Sequence, residues 1–114
     1  IRKGQMKQSK MDIYKIIERT AKKIGQKFHP KKIILFGSYA HGHPTRESDV
    51  DLLVVFSDKK NPTKRYMEIS KELEPRPFPV DLLIRSSQEI QQRLKIGDSF
   101  IEEVVDNGHV LYES

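Results

Sequence analysis

Short apolar runs show where this chain is expected to form strands. Each run is three to seven residues long and is bounded by proline, glycine or polar residues, as in the strands of a small sheet. The last run is the shortest and predicts a strand at an edge of the sheet. The predicted strands are residues 33–36, 50–56, 80–84 and 110–112.

Helical periodicity fills the stretches between these runs. Apolar residues recur at helical spacing over residues 13–28, until a His-Pro pair ends that helix. Asn61 and Pro62 have the N-cap and first-turn chemistry of a second helix, and residues 86–89 have capping-box spacing ahead of a third, which Gly97-Asp98 breaks or kinks. The residues predicted to face inward on these later helices are Tyr66, Ile69, Leu73, Ile90, Leu94, Phe100, Ile101, Val104 and Val105.

These elements predict an α/β protein with a small mixed β-sheet flanked by helices. The chain has 114 residues, and we expect one domain over residues 11–114 after a flexible basic segment over residues 1–10. There are no cysteines, no apolar run of membrane-spanning length and no secretory signal pattern. We therefore expect a cytoplasmic protein that does not bind membranes.

Positive charge is concentrated at the start of the chain. Residues 1–32 carry a net charge of +9 and residues 33–114 a net charge of −4. We interpret the basic segment as a solvated helix face, with an acidic partner, a phosphate-rich substrate or nucleic acid as the alternatives. Nucleic acid is disfavoured because no aromatic residues alternate with the basic ones to stack on bases.

Two carboxylates interrupt the second predicted strand at its start. Asp49 and Asp51 occupy alternate positions, so they project from one face, roughly 6.5–7 Å apart along the backbone. Aspartate is a poor strand former and is costly to bury, so a pair of them requires a counter-charge. A divalent cation such as Mg²⁺, which prefers oxygen ligands, would supply it.

Gly37-Ser38 follows the first predicted strand and opens a polar loop. The sequence predicts a short helical segment there, ending near Gly42. Glycine lets the backbone approach a phosphate closely, and the free N–H groups at a helix start attract anions. Gly37 and Ser38 are therefore candidate nucleotide-binding residues.

The combined pattern of Gly37-Ser38, Gly42 and Asp49-x-Asp51 resembles that of the nucleotidyltransferase superfamily that includes DNA polymerase beta. Within it, the chain resembles the minimal nucleotidyltransferases (MNT), small proteins paired with a helical HEPN protein. The resemblance extends over about residues 13–112. It implies the polymerase-beta-like fold and a third carboxylate on a later strand, a position that Asp81 fits.

The resemblance also implies a reaction. It implies transfer of AMP from ATP to an acceptor hydroxyl, with two Mg²⁺ ions of which one activates the attacking oxygen and the other steadies the leaving group. Asp49, Asp51 and Asp81 would be the catalytic carboxylates and metal ligands, with Asp81 on the nucleophile side. The implied acceptor is a cognate HEPN toxin, which would make this chain an antitoxin that acts by adenylylation.

Each candidate residue also has a structural interpretation. Ser38 could cap a helix, Asp49 could cap a turn, and Asp81 could be a partly exposed residue of an edge strand. Tyr39 stands where members of the superfamily often carry a basic residue, which argues against a phosphate contact from its side chain. We expect His41, just before Gly42, and His43 and Arg46, in the loop after it, to be exposed to solvent.

Three rival functions remain open at this stage. The chain could neutralise a toxin by steric binding with little turnover, transfer nucleotides to a small molecule, or bind nucleic acid through its basic helix. Small-molecule nucleotidyltransferases usually carry an extra domain. The sequence also leaves open whether the protein forms a homo-oligomer.

Overall fold

The structure, a computed structural model, describes residues 2–45 and 47–114, with side-chain surroundings from residue 13 onward. The expectations of a flexible segment over residues 1–10 and of an exposed Arg46 lie outside these described side chains. Within the described part of the chain, no helix combines the length and the apolar character needed to cross a membrane.

Helices and strands occur close to where the apolar pattern places them. All four predicted strands are present, and the Gly97-Asp98 pair separates the third helix from a fourth. In chain order the elements are α1 (Arg2–Phe28), β1 (Lys32–Phe36), β2 (Val50–Phe56), α2 (Pro62–Glu72), β3 (Val80–Ser86), α3 (Ser87–Lys95), α4 (Ser99–Asn107) and β4 (His109–Glu113).

The strands form one mixed sheet in the order β3-β2-β1-β4. Strand β1 pairs antiparallel with both β2 and β4, whereas β2 and β3 are parallel. Parallel neighbours need a crossover connection, and α2 supplies it. The predicted fold class, a small mixed sheet with helices packed against it, is confirmed.

Both faces of the sheet are covered, because side chains alternate between the faces along each strand. The larger apolar cluster joins one face, including Leu52 and Val54 of β2, to Ile17 and Ile24 of α1 and to Ile69 of α2. The smaller cluster lies on the opposite face and contains Ile34, Leu53, Val55 and Val104. The central strands are therefore buried on both sides, as their uninterrupted apolar runs predict.

One predicted element is wrong. Residues after Gly37 form a hydrogen-bonded turn, in which the N–H groups of Ala40 and His41 donate to Gly37 O, and no helix follows. Gly37 and Gly42 have φ angles of 74° and 75°, in the left-handed region. Left-handed φ angles at both ends interrupt right-handed helical geometry, so the segment between the two glycines forms a turn.

Three residues predicted to face inward are exposed instead. Tyr66 is 45% exposed, Phe100 50% and Val105 41%, whereas Ile69, Ile101 and Val104 on the same helices are buried. Helix α2 packs mainly against β3, which is an edge strand, so the sheet covers only a narrow stripe of the helix. The apolar stripes are therefore narrower than the periodicity predicts.

Candidate active site

The register of the sheet brings two of the candidate carboxylates side by side. Asp51 of β2 is paired with Asp81 of the parallel strand β3, and with Phe36 of β1 on its other side. Directly paired residues project from the same face of a sheet, so Phe36, Asp51 and Asp81 form a row across three strands. Asp49 lies two residues before Asp51, just ahead of the start of β2.

Asp51 lies close enough to Asp81 and to Asp49 to be affected by the negative charge of each. Burial raises the pKa of Asp51 above its ordinary value, and the negative charges of Asp81 and Asp49 raise this pKa further. Asp51 is half-buried, whereas Asp49 and Asp81 are exposed. Among the described residues, no lysine, arginine or histidine forms an ion pair with any of the three.

A divalent cation fits this donor set, although no closed cage is present. Among residues 13–45 and 47–114, no three Asp, Glu or His side chains are grouped tightly enough to form a ready-made metal site. Mg²⁺ does not require such a cage, since it is usually held by one or two carboxylates, waters and substrate phosphates. The oxygen-only ligands and the accumulated negative charge suit this ion.

Gly37 ties the turn after β1 to the carboxylates. Its φ of 74° is one that residues with a side chain rarely adopt, and a Cβ atom built there would overlap Asp51 Oδ2. The glycine therefore serves two purposes, since it permits the turn and makes room for the carboxylate. Asp51 and the Gly37-Ser38 pair are direct neighbours in space.

The same turn leaves backbone donors available. Ala40 and His41 donate their N–H groups to Gly37 O, whereas the N–H groups of Ser38 and Tyr39 donate to no other described residue. Ser38 itself is half-buried. Successive free N–H groups in a turn form a concavity that attracts anions, so the arrangement retains part of the donor set expected of a helix start.

Tyr39 anchors the turn to the first helix. Tyr14 Oη donates a hydrogen bond of 3.0 Å to Tyr39 O, and the two rings meet edge to face with centroids 6.0 Å apart. Tyr39 packs against the larger apolar cluster. Its side chain therefore has a packing role, which agrees with the sequence argument against a phosphate contact.

A second contact, which the sequence analysis missed, holds the turn to α4. His41 Nε2 lies 3.4 Å from Glu103 Oε1, and Asn107 Nδ2 donates a hydrogen bond of 2.7 Å to Glu103 Oε2. His41 and His43 are exposed, as predicted. A cavity of about 120 Å³ lies between the turn and α4, with Phe36 and Phe100 among its walls. The helical spacing of Glu103 and Asn107 predicts their contact with each other but not with the turn.

Comparison with known proteins gives a consistent result. Residues 17–110 match the family described as the nucleotidyltransferase domain. The "Putative protein adenylyltransferase MJ1379" of Methanocaldococcus jannaschii is 37% identical over 78 residues, which cover 67% of this chain and 78% of that protein. The "Protein adenylyltransferase MntA" of Thermococcus cleftensis is 34% identical over 77 residues, which cover 67% of this chain and 77% of that protein.

A solved structure extends the similarity to three dimensions. The crystal structure described as "the toxin-antitoxin with AMP-PNP" superposes with a TM-score of 0.62 at 26% identity, covering 85% of this chain and 73% of the other. The fold, the carboxylate row and the family match agree with one another. The chain therefore belongs to the nucleotidyltransferase domain family, within its minimal nucleotidyltransferase group, and is a nucleotidyltransferase.

Proposed function

We propose that this protein transfers AMP from ATP to a hydroxyl group of a partner protein. The observation that carries the proposal is the row of carboxylates beside a glycine turn: Asp51 and Asp81 are in register, and Asp51 contacts the space that a Gly37 side chain would fill. Such a site combines negative charge for a cation with backbone donors for phosphates.

The three carboxylates divide the work between binding and proton transfer. Asp49, Asp51 and Asp81 would hold Mg²⁺, which when bound neutralises phosphate charge and favours displacement at phosphorus. Asp81, exposed on the edge strand, accepts the proton of the acceptor hydroxyl. The acceptor oxygen forms a bond to the α-phosphorus, the bond from that phosphorus to the bridging oxygen breaks, and pyrophosphate leaves with the electron pair.

The turn at Gly37-Ser38 binds the leaving phosphates. The N–H groups of Ser38 and Tyr39 donate to no described residue, and the Ser38 hydroxyl adds a further donor. Because Gly37 abuts Asp51, phosphates held by the turn lie next to the carboxylates. This contact orients the triphosphate so that pyrophosphate departs toward the turn, away from the attacking oxygen.

The acceptor is a HEPN-type toxin, and the protein is its antitoxin. Support comes from the relative named MntA and from the similar structure described as a toxin-antitoxin with AMP-PNP. The exposure of Asp49 and Asp81 leaves room for a large acceptor to approach. A protein acceptor can cover the nucleotide, which the described residues leave open on that side.

Mass spectrometry of the partner tests this proposal. The protein is incubated with a candidate HEPN partner and Mg-ATP, and the partner is expected to gain the mass of one or more AMP units. The double variant Asp49→Asn/Asp51→Asn should abolish the gain. The matched control is Asp58→Asn, since Asp58 follows the same strand but is paired with Arg65, 2.7 Å away. Equal transfer by the double variant and the control would refute the site assignment.

A second candidate is neutralisation of a toxin by binding alone. It is favoured by exposed apolar side chains on the α3–α4 side of the protein, where Ile96 is 73% exposed and Phe100 packs edge to face on Phe36, next to Gly37. In that case the Asp49→Asn/Asp51→Asn variant would still neutralise the partner, and the partner would keep its mass.

A further inference from the structure

A second cleft lies at the opposite end of the β2–β3 pair from the carboxylates. It has a volume of about 320 Å³ and is bordered by the last residues of both strands and by the starts of α2 and α3. Phe56 lies five positions after Asp51 in β2, which is about 16 Å along an extended strand. Its walls are formed by Phe56, Asp58, Lys59, Lys60, Pro62, Arg65, Ile84, Arg85, Ser86 and Glu89.

The charge lining this cleft is positive after its internal pairs are counted. Asp58 Oδ1 is 2.7 Å from an Arg65 guanidinium nitrogen, so these two charges neutralise each other. Among the described residues, no carboxylate lies within ion-pair distance of the charged groups of Lys59, Lys60 and Arg85. With Glu89 as the remaining carboxylate, the cleft keeps two uncompensated positive charges.

The two carboxylates are already occupied and do not offer a cation site. Asp58 also accepts a hydrogen bond from the Lys60 N–H, and its pKa is lowered chiefly by the hydrogen bond from Arg65. Glu89 accepts from the Ser86 N–H in the capping box of α3, which lowers its pKa. Both groups are ionised at neutral pH, and each is committed to structure on its own side of the cleft.

The walls hold the two arginine side chains in fixed positions. The Arg65 guanidinium lies 3.9 Å from the centroid of the Phe56 ring, and Arg85 Nη1 donates a hydrogen bond of 2.7 Å to Ile84 O. Arg85 is half-buried and borders the cleft, and its remaining N–H groups donate to no other described residue. A pre-positioned guanidinium group such as that of Arg85 is well suited to bind phosphate oxygens.

The backbone adds to this positive potential. Two helices begin at the cleft, α2 with Pro62 as its first residue and α3 after its N-cap Ser86. Helix N-termini carry partial positive charge, which favours anions. Ligands of α/β proteins commonly bind beyond the carboxyl ends of parallel strands, which is where Phe56 and Ser86 lie.

We propose that the cleft between Lys59, Lys60 and Arg85 is a second anion site, which binds a small phosphate-bearing molecule independently of the carboxylate site. The ligand class follows from the guanidinium and ammonium donors, and the cleft has the volume for a phosphorylated small molecule. The proposal does not depend on the transferase reaction, since no residue is shared between the two sites.

Nuclear magnetic resonance titration with inorganic pyrophosphate tests the site. The experiment uses the full chain with the substitutions Asp49→Asn and Asp51→Asn, in EDTA, so that metal-dependent binding at the carboxylates is removed. Amide shifts are expected at residues 59–60 and 85–89 and not around Gly37. Shifts confined to the Gly37 turn, or no saturable shifts, would overturn the proposal.

Charge-removing variants supply the matched comparison. In the same background, Lys60→Gln with Arg85→Gln is expected to weaken pyrophosphate binding at least tenfold, because two charge-assisted hydrogen bonds are lost. The control Lys71→Gln removes an exposed lysine of α2 that does not border the cleft, and it should leave the affinity within twofold. Equal weakening by both variants would mean general charge attraction only, which contradicts a defined site.

Two further ligands decide what the cleft selects. If the apolar walls bind the adenine base, ADP should bind more tightly than pyrophosphate. If the site binds only the phosphate groups, the two affinities should be equal. Either result supports the proposal. A glutamate-rich peptide that displaces pyrophosphate at similar concentration would instead assign the cleft to an acidic protein segment and overturn the ligand class.

Discussion

At the residue scale, the candidate site depends on one atom that is absent from Gly37. The missing Cβ leaves space for the Asp51 carboxylate, and the positive φ of this glycine turns the chain away from β1. Gly42 has nearly the same φ, but a Cβ there would have no neighbour within 4 Å. A comparison of substitutions at the two glycines therefore separates the effect of backbone strain from the effect of displacing Asp51.

Gly37→Ala is expected to abolish or strongly reduce nucleotidyl transfer, whereas Gly42→Ala should retain most of it. Alanine is strained at positive φ, so the backbone strain alone should cost each variant about 1 kcal/mol of unfolding free energy. Only Gly37→Ala also displaces Asp51. The measurements are thermal unfolding and initial transfer rates, and similar rates for the two variants would show that the contact with Asp51 is unimportant.

Asp51 is expected to destabilise the metal-free protein at neutral pH. Its ordinary pKa of 3.8 is raised by burial and by Asp81 and Asp49, so the folded state binds the proton more tightly than the unfolded state. Its unfavourable contribution is complete above the raised pKa, declines as the pH falls through that value, and is absent below the ordinary pKa of 3.8.

Asp51→Asn should therefore raise the unfolding free energy at pH 7 by about 0.5 kcal/mol, the scale of a partly exposed charge pair. The gain should decline on acidification through the raised pKa of Asp51 and be absent below its ordinary pKa of 3.8. Asp58→Asn is the control of opposite sign, because the pKa of Asp58 is lowered by Arg65 and its replacement should be destabilising at pH 7. Unfolding monitored from pH 3 to pH 7 checks both, and a destabilised Asp51→Asn would contradict the electrostatic argument.

At the scale of helices and strands, the capping box of α3 links the fold to the second cleft. Ser86 Oγ accepts from the Glu89 N–H at 3.1 Å, while Glu89 Oε1 accepts from the Ser86 N–H at 3.0 Å. Ser86 is also the last residue of β3 and is buried. One residue therefore ends the strand and begins the helix.

Ser86→Ala is expected to cost about 1 kcal/mol of stability, because an orphan N–H of the first turn loses its acceptor. Ser99→Ala is the matched control: Ser99 opens α4, but the cap of that helix is Asp98, so this change should cost little. Urea unfolding measures both variants. Equal losses would mean that the capping bond contributes no more than a surface serine.

Apolar runs, capping residues and glycine breaks predicted the helices and strands well, because they act on neighbouring residues. They could not predict which strands pair or in which register. The cap at Asn61, the capping box at Ser86 and the break at Gly97 depend on neighbouring residues, and each was found where the sequence placed it. The register that pairs Asp51 with Asp81 joins strands 30 residues apart and follows from packing of the whole sheet. The segment after Gly37 differs from the predicted short helix because the left-handed φ angles of Gly37 and Gly42 interrupt helical geometry at both ends.

At the scale of the whole molecule, helix α1 packs directly against strand β4, so the first and last elements of the chain are in contact. A Cβ built on Gly25 of α1 would overlap the ring of Tyr112 in β4, so these elements pack at close range. Tyr112 belongs to the half-buried residues around the larger apolar cluster. The edge strand β4 is therefore held by its packing against α1 as well as by its hydrogen bonds to β1.

Gly25→Ala should therefore destabilise the protein by about 1–3 kcal/mol, the usual cost of overpacking a core. Helix propensity alone predicts the opposite sign, a gain of about 1 kcal/mol, so the experiment separates the two effects. Thermal unfolding of the variant gives the answer, and an increase in melting temperature would show that Tyr112 moves aside freely.

The exposure of Asp49 and Asp81 has a consequence for timing. A nucleotide bound at these exposed carboxylates would remain hydrated. A hydrated triphosphate reacts slowly because water screens its charges. An acceptor protein that binds over the carboxylates would displace that water and bring its own hydroxyl group to the site at the same time. If the proposed transfer from ATP to a partner protein is correct, turnover begins when the acceptor binds, and ATP is not consumed in its absence.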